Sequence, residues 1–310
     1  MFRRQLMDYF ERGTVVVLTH NRRARLLQTL RALSRLPDGW PIIVVDNGSS
    51  DGTARAVSQE FPSVLLIRSR RNIGAAARNI AVAYVHTPYV AFCDDDTQWQ
   101  PGSLQHAACV LDAHPRIAVV NGCVLVGEED RIDPACIRMA TSPLDRENLP
   151  GPQLLDFMAA ACVVRTRAFY EAGGYWPPFF IGGEESLLAL DFAQRGWRMV
   201  YIEEVLVRRA SPSCSVFLER RRMRNAIWVA WMRLPWRLAW EETLALLRKA
   251  AGRHQLRAVL MLTMTGMTRA FKERQVVAPR VAAMRARLLA QGAQETHEAA
   301  ARPPRSSLAS

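Results

Sequence analysis

No stretch of this sequence is long and apolar enough to cross a bilayer. The longest uncharged apolar run of its second half, Ala258–Thr268, is about half of the ~20 residues a spanning helix needs. The start, MFRRQLMDYFERG, has basic residues with no apolar run behind them, so no secretory signal is expected there. Cysteines are few and unpaired in sequence: Cys93, Cys109, Cys123, Cys136, Cys162 and Cys214 form no C-x-x-C. Reduced, buried thiols in a cytoplasmic protein are the expectation. Lysine is scarce among the last hundred residues, where only Lys249 and Lys272 stand against 16 arginines. That bias fits genome composition as well as it fits selection for a partner. No internal repeat is visible.

What remains is ordinary globular material. The chain has 310 residues, 49% apolar and 23% charged, enough for one large domain with an appendage or for two modest domains. The net charge of +12 resembles a nucleic-acid signature until it is located. Residues 1–210 hold 23 arginines against 23 acidic residues, whereas residues 211–310 hold 18 basic residues against 6 glutamates. The front is balanced and the back is a basic appendage.

Along the front, strands and helices alternate. Thr14–Leu18, Pro41–Val45, Val64–Ile67 and Tyr89–Cys93 are short apolar β-rich runs. Between them Asn21 is placed to cap a helix through Pro37, a helix follows the turn Asp46–Gly52, and Gly74–Tyr84 is an Ala-rich helix. A helix over Ser103–His114, strands near Ile117–Val120, Ala159–Val164 and Met199–Ile202, and a helix over Glu184–Arg195 are predicted; 128–156 looks loop-like. The pattern predicts an α/β fold with a mostly parallel central sheet. In such sheets ligands collect at the carboxyl ends of strands, so Thr19-His20-Asn21, Asp46 and Asp94–Asp96 should meet on one rim.

Asp94 and Asp96 form a D-x-D at a strand end. Two carboxylates one residue apart in a loop can share one Mg2+ or Mn2+ through hard oxygen ligands, leaving positions for phosphate oxygens. A solvated turn, or an N-cap for the helix after Gly102, explains the same residues. Like charges this close repel, and relief is expected when metal and nucleotide arrive.

The blocks VVVLTHNR (15–22), PIIVVDNGSSDGT (41–53), NIGAAARNIAVA (72–83), YVAFCDDDTQWQP (89–101) and GGEESLLALDFAQRGW (182–197) stand in the order and spacing of the family 2 glycosyltransferases. Over about residues 13–210 the chain resembles that family, which implies the GT-A nucleotide-sugar fold, an inverting transfer and a divalent metal, Mn2+ or Mg2+. Carried over by position, Thr19, Asn21 and Asp46 would hold base and ribose. Asp46 equally suits a turn-starting role. Gly74 would allow close backbone approach to a ligand, Arg78 would point back at the nucleotide, and Asp95 would meet ribose. Asp94 and Asp96 would hold the metal, Asp96 most directly. Glu185 would be the general base that deprotonates the acceptor hydroxyl, with Glu184 as fallback. Both also suit the first turn of a helix. The base is Glu here where Asp is usual, and Asp191, two turns on, is expected to be structural. Many members have a His after the last strand. Here Val207-Arg208-Arg209-Ala-Ser-Pro212 stands instead, and Arg208 or Arg209 would meet the diphosphate or simply begin the appendage. His20 replaces a common aromatic, with stacking on the base or rim packing as its two readings.

In the appendage Trp228, Trp231, Trp236 and Trp240 fall among arginines. That mixture suits a membrane interface or a helical subdomain packed on the catalytic domain; nucleic acid is the less expected partner. The expected organisation is a lead-in (1–12), a GT-A domain (13–212), a basic helical region (213–290) with membrane-surface contact through 216–290, and a disordered tail (291–310). The expected function is transfer from a nucleotide-diphosphate sugar to a hydroxyl of a surface glycan, lipid-linked precursor or related glycoconjugate, in the cytoplasm or on the inner face of the membrane. A sugar nucleotidyltransferase is the alternative, disfavoured because no Gly-rich loop follows the first strand. A basic nucleic-acid-binding protein is the third reading.

Overall fold

The computed structural model of the protein describes residues 12–210 and 216–301. The lead-in 1–11, residues 211–215 with Cys214, and the tail 302–310 lie outside the described residues. In chain order come β1 (Gly13–Thr19), α1 (Arg23–Leu33), β2 (Ile42–Asp46), α2 (Thr53–Glu60), β3 (Leu65–Arg68), a 3-10 turn (Gly74–Ala76) running into α3 (Ala77–Val82), and β4 (Tyr89–Asp94). Then follow β5 (Thr97–Trp99), α4 (Ser103–Ala113), β6 (Ile117–Val126), β7 (Arg131–Ile132), α5 (Pro134–Ala140), β8 (Cys162–Arg165), α6 (Thr166–Glu171), α7 (Glu184–Gln194) and β9 (Arg198–Arg209). The chain ends in helices α8 (Val216–Arg233), α9 (Trp236–Gly252), α10 (Leu256–Met264), α11 (Met267–Lys272) and α12 (Pro279–Ala301).

Among the described residues the strands form one sheet in the order β3-β2-β1-β4-β8-β6-β9-β5, with β7 paired to β6. The β3-β2-β1-β4 half is wholly parallel, as the strand–helix alternation predicts. Its central strands are apolar on both faces because helices cover both sides. Register does the positioning: Thr19 lies opposite Asp46, and Leu18 opposite Asp94, so three strand ends share one rim. The other half is mixed, with β8 antiparallel to β4 and β6, and β6 parallel to β9. β9 runs to Arg209, far beyond the predicted Met199–Ile202: the register on β6 shifts between Gly122↔Ile202 and Cys123↔Leu206, so Glu203–Val205 bulge out, and pairing then resumes as far as Arg209. β5, antiparallel to β9, sets Thr97 opposite Arg209.

Three sequence expectations are corrected. Asn21 does not cap α1: Arg22 stands at the cap without a side-chain bond, and the Arg23 amide donates to Asp51 Oδ2 instead (3.0 Å). The segment 128–156 contains β7 and α5, the latter capped by Asp133, which accepts from the Ala135 amide. The tail expected to be disordered from Gln291 is helical as far as Ala301, where Ala, Gln and Glu dominate.

The C-terminal helices pack on the sheet domain. Met223, Ile227, Trp228 and Trp231 of α8 are buried in one core with the sheet residues. Arg233 makes a buried two-point ion pair with Asp191 of α7 (2.6 and 3.0 Å), the structural role expected of Asp191. Trp236 and Trp240, by contrast, are more than half exposed. They lean edge-on against buried Trp231, with Phe271 of α11 completing the cluster.

Candidate active site

A cavity of about 810 Å3 opens at the carboxyl ends of β1 and β4. Its walls include Thr19, Arg22, Asp94–Asp96, Gly74, Arg78, Arg209, the glycine loop before α7, Glu184 and Glu185. The acidic block and the glutamate pair, some ninety residues apart in sequence, therefore face one space.

The three aspartates are not left to repel one another. Arg78, buried in α3, donates to Asp94 Oδ1 (2.5 Å), and Arg209 Nη2 approaches Asp94 Oδ2 (3.3 Å). Arg22 Nη1 reaches Asp95 Oδ1 (2.9 Å) and Asp96 Oδ2 (3.4 Å), while Arg25 lies 3.8 Å from Asp96. Four guanidinium groups thus surround three carboxylates, which corrects the expectation that repulsion waits for metal and nucleotide. Arg78, expected to point at a nucleotide, is engaged with Asp94. Asp95 is buried and accepts from Thr19 Oγ1 (2.9 Å), and its carbonyl accepts from Thr29 (2.9 Å). Burial raises its pKa, against the lowering pull of Arg22 and Thr19.

The neighbouring loops are fastened by amides. Asp46 is fully buried; its Oδ1 accepts from the Ser49 amide (2.9 Å), the turn-starting role, while Oδ2 has Arg68 Nε at 3.4 Å and no hydrogen bond. Asn47, not singled out in the sequence, faces the cavity and links Asn72, Ile73 and Gly74 by three hydrogen bonds. Asn21 has a positive φ of 53° and clasps the 49–50 turn; it lines a smaller adjoining hollow, not the main cavity. His20 lines the main cavity, with Nδ1 3.0 Å from the Asn47 carbonyl oxygen. Gly74 does permit a close approach, but to protein: a Cβ there would fall 1.8 Å from the Phe180 carbonyl oxygen, which accepts from the Ala75 amide (2.7 Å).

Glu184 and Glu185 open α7 after Gly183. Burial, and then the neighbouring Glu184 charge, push Glu185 well above the ordinary carboxylate range. Glu184 is also raised by burial, and its Oε2 has no hydrogen-bond partner. Asp156, missed in the sequence because it sits in a loop with no motif, lines the same wall and accepts from Ser186 Oγ (2.8 Å).

The loop that presents this pair is held from α8. Asn225 Nδ2 donates to the carbonyls of Phe179 (3.2 Å), Ile181 (3.0 Å) and, more closely, Gly182, and Arg224 donates to Phe179 (2.9 Å). Gly182 and Gly183 lie against Arg222 and Asn225 too closely for a Cβ. Leu218 and Arg222 of α8 line the cavity. The appendage is thus part of the site, which no local sequence signal revealed.

Comparison with known proteins bears directly on this geometry. The family profile described as Glycosyl transferase family 2 matches residues 14–173. The chain belongs to that family. This glycosyltransferase is 25% identical over 233 residues to the N-acetylglucosaminyl-diphospho-decaprenol L-rhamnosyltransferase of Mycobacterium tuberculosis, covering 63% of the chain and 76% of the relative. It is 32% identical over 98 residues to the putative teichuronic acid biosynthesis glycosyltransferase TuaG of Bacillus subtilis, covering 30% of the chain and 38% of the relative. Among solved structures it resembles the Pyrobaculum calidifontis mannosyltransferase PcManGT in complex with GDP-Man and Mn2+, with TM-score 0.57, 19% identity, and 96% and 94% of the two chains covered. It also resembles S. aureus TarS 1–349 in complex with UDP-GlcNAc, with TM-score 0.57, 16% identity, and 71% and 65% covered. The fold of this family 2 glycosyltransferase is GT-A, carrying C-terminal helices on its catalytic sheet.

Proposed function

We propose that this glycosyltransferase moves a sugar, with inversion, from a nucleotide-diphosphate donor to a hydroxyl of a lipid-linked precursor, a surface glycan or a related glycoconjugate. The observation that carries the reading is the single cavity with Asp94–Asp96 on one wall and a carboxylate of raised pKa, Glu185, on another. The acceptor oxygen bonds to the anomeric carbon as the bond to the diphosphate oxygen breaks, and Glu185 takes the acceptor proton. Glu184 is the fallback base. Thr19, Asp46, Asp95 and Gly74 shape the nucleotide side, Asn21 at its outer edge, and Arg78 acts there through Asp94.

The donor set fits a divalent cation in kind. Asp94 Oδ2 and Asp96 Oδ1 both face the Arg209 guanidinium, so they converge on one cationic position. Among the described residues no group of three or more His, Cys, Asp or Glu could hold a metal, so the remaining ligands of Mn2+ or Mg2+ would be phosphate or water oxygens. Bound there, the cation would neutralise the charge of the departing diphosphate.

The surface of the C-terminal helices supports a membrane-associated acceptor. No described helix is long and apolar enough to cross one. Exposed Trp236, Trp240 and Leu244 of α9 and Leu260, Met261 and Met264 of α10 lie among arginines. This suits peripheral docking on the anionic inner face of the cytoplasmic membrane. The relative named for a decaprenol-linked substrate supports a lipid-linked acceptor.

The test is donor turnover with Mn2+ or Mg2+ across nucleotide sugars chosen by thermal shift, since a ligand of the folded state raises the melting temperature. Glu185→Gln should lose about 10²–10⁴ in kcat while keeping the donor-induced shift. A Glu185→Gln enzyme at wild-type rate would move the base to Glu184, and an Asp96→Ala enzyme at wild-type rate would remove the metal assignment. Pyrophosphate release from a nucleoside triphosphate and a sugar phosphate would favour the nucleotidyltransferase reading.

A further inference from the structure

Arg209 stands where the acidic block would hold its cation. Its Nη2 is 3.3 Å from Asp94 Oδ2 and its Nε is 3.9 Å from Asp96 Oδ1, so the guanidinium spans both carboxylates of the D-x-D. These contacts are loose beside Arg78–Asp94 at 2.5 Å and Arg22–Asp95 at 2.9 Å. The Nε is buried and has no hydrogen-bond acceptor at all. Asp94 keeps its short contact with Arg78 (2.5 Å) without Arg209, and Asp96 keeps the longer approaches of Arg22 (3.4 Å) and Arg25 (3.8 Å) from another side.

The backbone beneath it is fixed. Arg209 pairs with Thr97 across β5 and with Val126 across β6, and its carbonyl accepts from the Gly127 amide (3.0 Å). Only the side chain is free to move. Strand alternation turns the neighbouring Arg208 the other way, to Asp130 (2.5 Å). Of the two arginines after the last strand run, the one that faces the cavity is therefore Arg209.

We propose that Arg209 is an exchangeable counter-cation: it covers Asp94 and Asp96 when the metal position is empty, yields to the divalent cation, and turns onto the donor diphosphate. A guanidinium and a divalent ion cannot share one slot. Its planar fork matches phosphate oxygens, and its long side chain can follow an anion arriving at the same rim. Metal alone must displace Arg209 without reward. Metal with diphosphate gives the released guanidinium a new partner, so the two ligands bind cooperatively. This rests on the donor reading above for the diphosphate arm, but not for the metal arm.

The experiment compares wild type with Arg209→Met, using Mn2+ alone followed by electron paramagnetic resonance, then inorganic pyrophosphate titrated at saturating Mn2+. Arg209→Met should bind Mn2+ alone about tenfold more tightly and pyrophosphate about tenfold more weakly, each the order of one charge-assisted contact. Arg208→Met should change neither. Arg209→Gln is read in the same way should Arg209→Met fail to fold. Mn2+ affinity that is unchanged or weaker without Arg209, or absent from both proteins, overturns the exchange. Tighter Mn2+ with unaltered pyrophosphate overturns the transfer to diphosphate. If Arg209→Met shows both opposite shifts while no nucleotide sugar is turned over, the exchange stands and the donor reading fails.

Discussion

Replacing Asn225 with Leu tests whether the C-terminal helices build the active site. The Asn225 amide has two hydrogens and serves three backbone carbonyls, of Phe179, Ile181 and Gly182. Its Oδ1 also accepts from Arg224 Nε (2.8 Å). Leucine is close in shape but offers no donor, so up to two buried carbonyl bonds go unmade. At about 1–3 kcal/mol for each buried group left unsatisfied, and with Arg224 retaining Phe179 so that Ile181 and Gly182 remain, the loss should be about 2–6 kcal/mol. The denaturant midpoint of purified protein should fall accordingly, with the slope unchanged. The second effect is catalytic. Gly182 and Gly183 lead straight into Glu184 and the proposed base Glu185, and a displacement of about 1 Å at a catalytic group costs on the order of 10²-fold in rate. Folded Asn225→Leu enzyme, checked by circular dichroism below its transition, should therefore lose kcat far more than donor affinity. A variant with wild-type stability, or with kcat within twofold of wild type, would refute the claim that α8 sets the geometry of the glycine loop.

Other outcomes follow from the same structure. Glu185 has a raised pKa in the folded state, so its favourable contribution is complete below the ordinary carboxylate pKa of about 4.5 and is lost as pH rises through its folded value. Glu185→Gln should therefore be more stable than wild type near neutral pH, with the gap closing towards about pH 4.5 in chemical denaturation; a constant gap would remove the buried-charge account. Arg233→Met leaves Asp191 buried without its partner and should cost about 3–5 kcal/mol by urea titration, whereas adding Asp191→Leu should restore part of it. Trp236→Ala/Trp240→Ala should weaken co-sedimentation with anionic vesicles by about tenfold or more while leaving turnover of a water-soluble acceptor unchanged. Equal binding to zwitterionic vesicles, or duplex DNA binding of comparable strength with a steep salt slope, would count against the membrane surface.

The strand ends were legible because buried parallel strands advertise themselves as apolar runs and because register brings Thr19, Asp46 and Asp94 to one rim whatever the loops do. The short elements were not. β5, β7 and α6 are too brief for periodicity to register, and β9 hid behind its charged residues. The meaning of DDD depended on partners far off in sequence: Arg22 lies 73 residues from Asp95 and Arg209 115 from Asp94. No local pattern carries such a pairing. Asn225 is the extreme case, a lone amide in an arginine-rich helix whose importance comes only from the carbonyls it meets. Phe180, with φ at 67°, likewise reads in sequence as one more aromatic, yet its carbonyl occupies the space that Gly74 vacates.

The seam between the glycine loop and α8 sets the terms for any attempt to exchange the C-terminal helices. The family profile ends at residue 173, before the glycine loop, the proposed base Glu185 and the C-terminal helices, of which α8 lines the cavity. A chimera that joins this sheet domain to another relative's C-terminal helices would divide a unit whose two sides are cut to fit each other. Gly182 and Gly183 admit only what Arg222 and Asn225 leave room for. Trp176 also packs edge-on against Trp228 of α8 (6.1 Å between ring centres), so the exchangeable module begins at Trp176, not at the first C-terminal helix. Libraries that carry Trp176–Asn225 as one cassette should yield far more folded, active transferases than libraries that swap the helices alone.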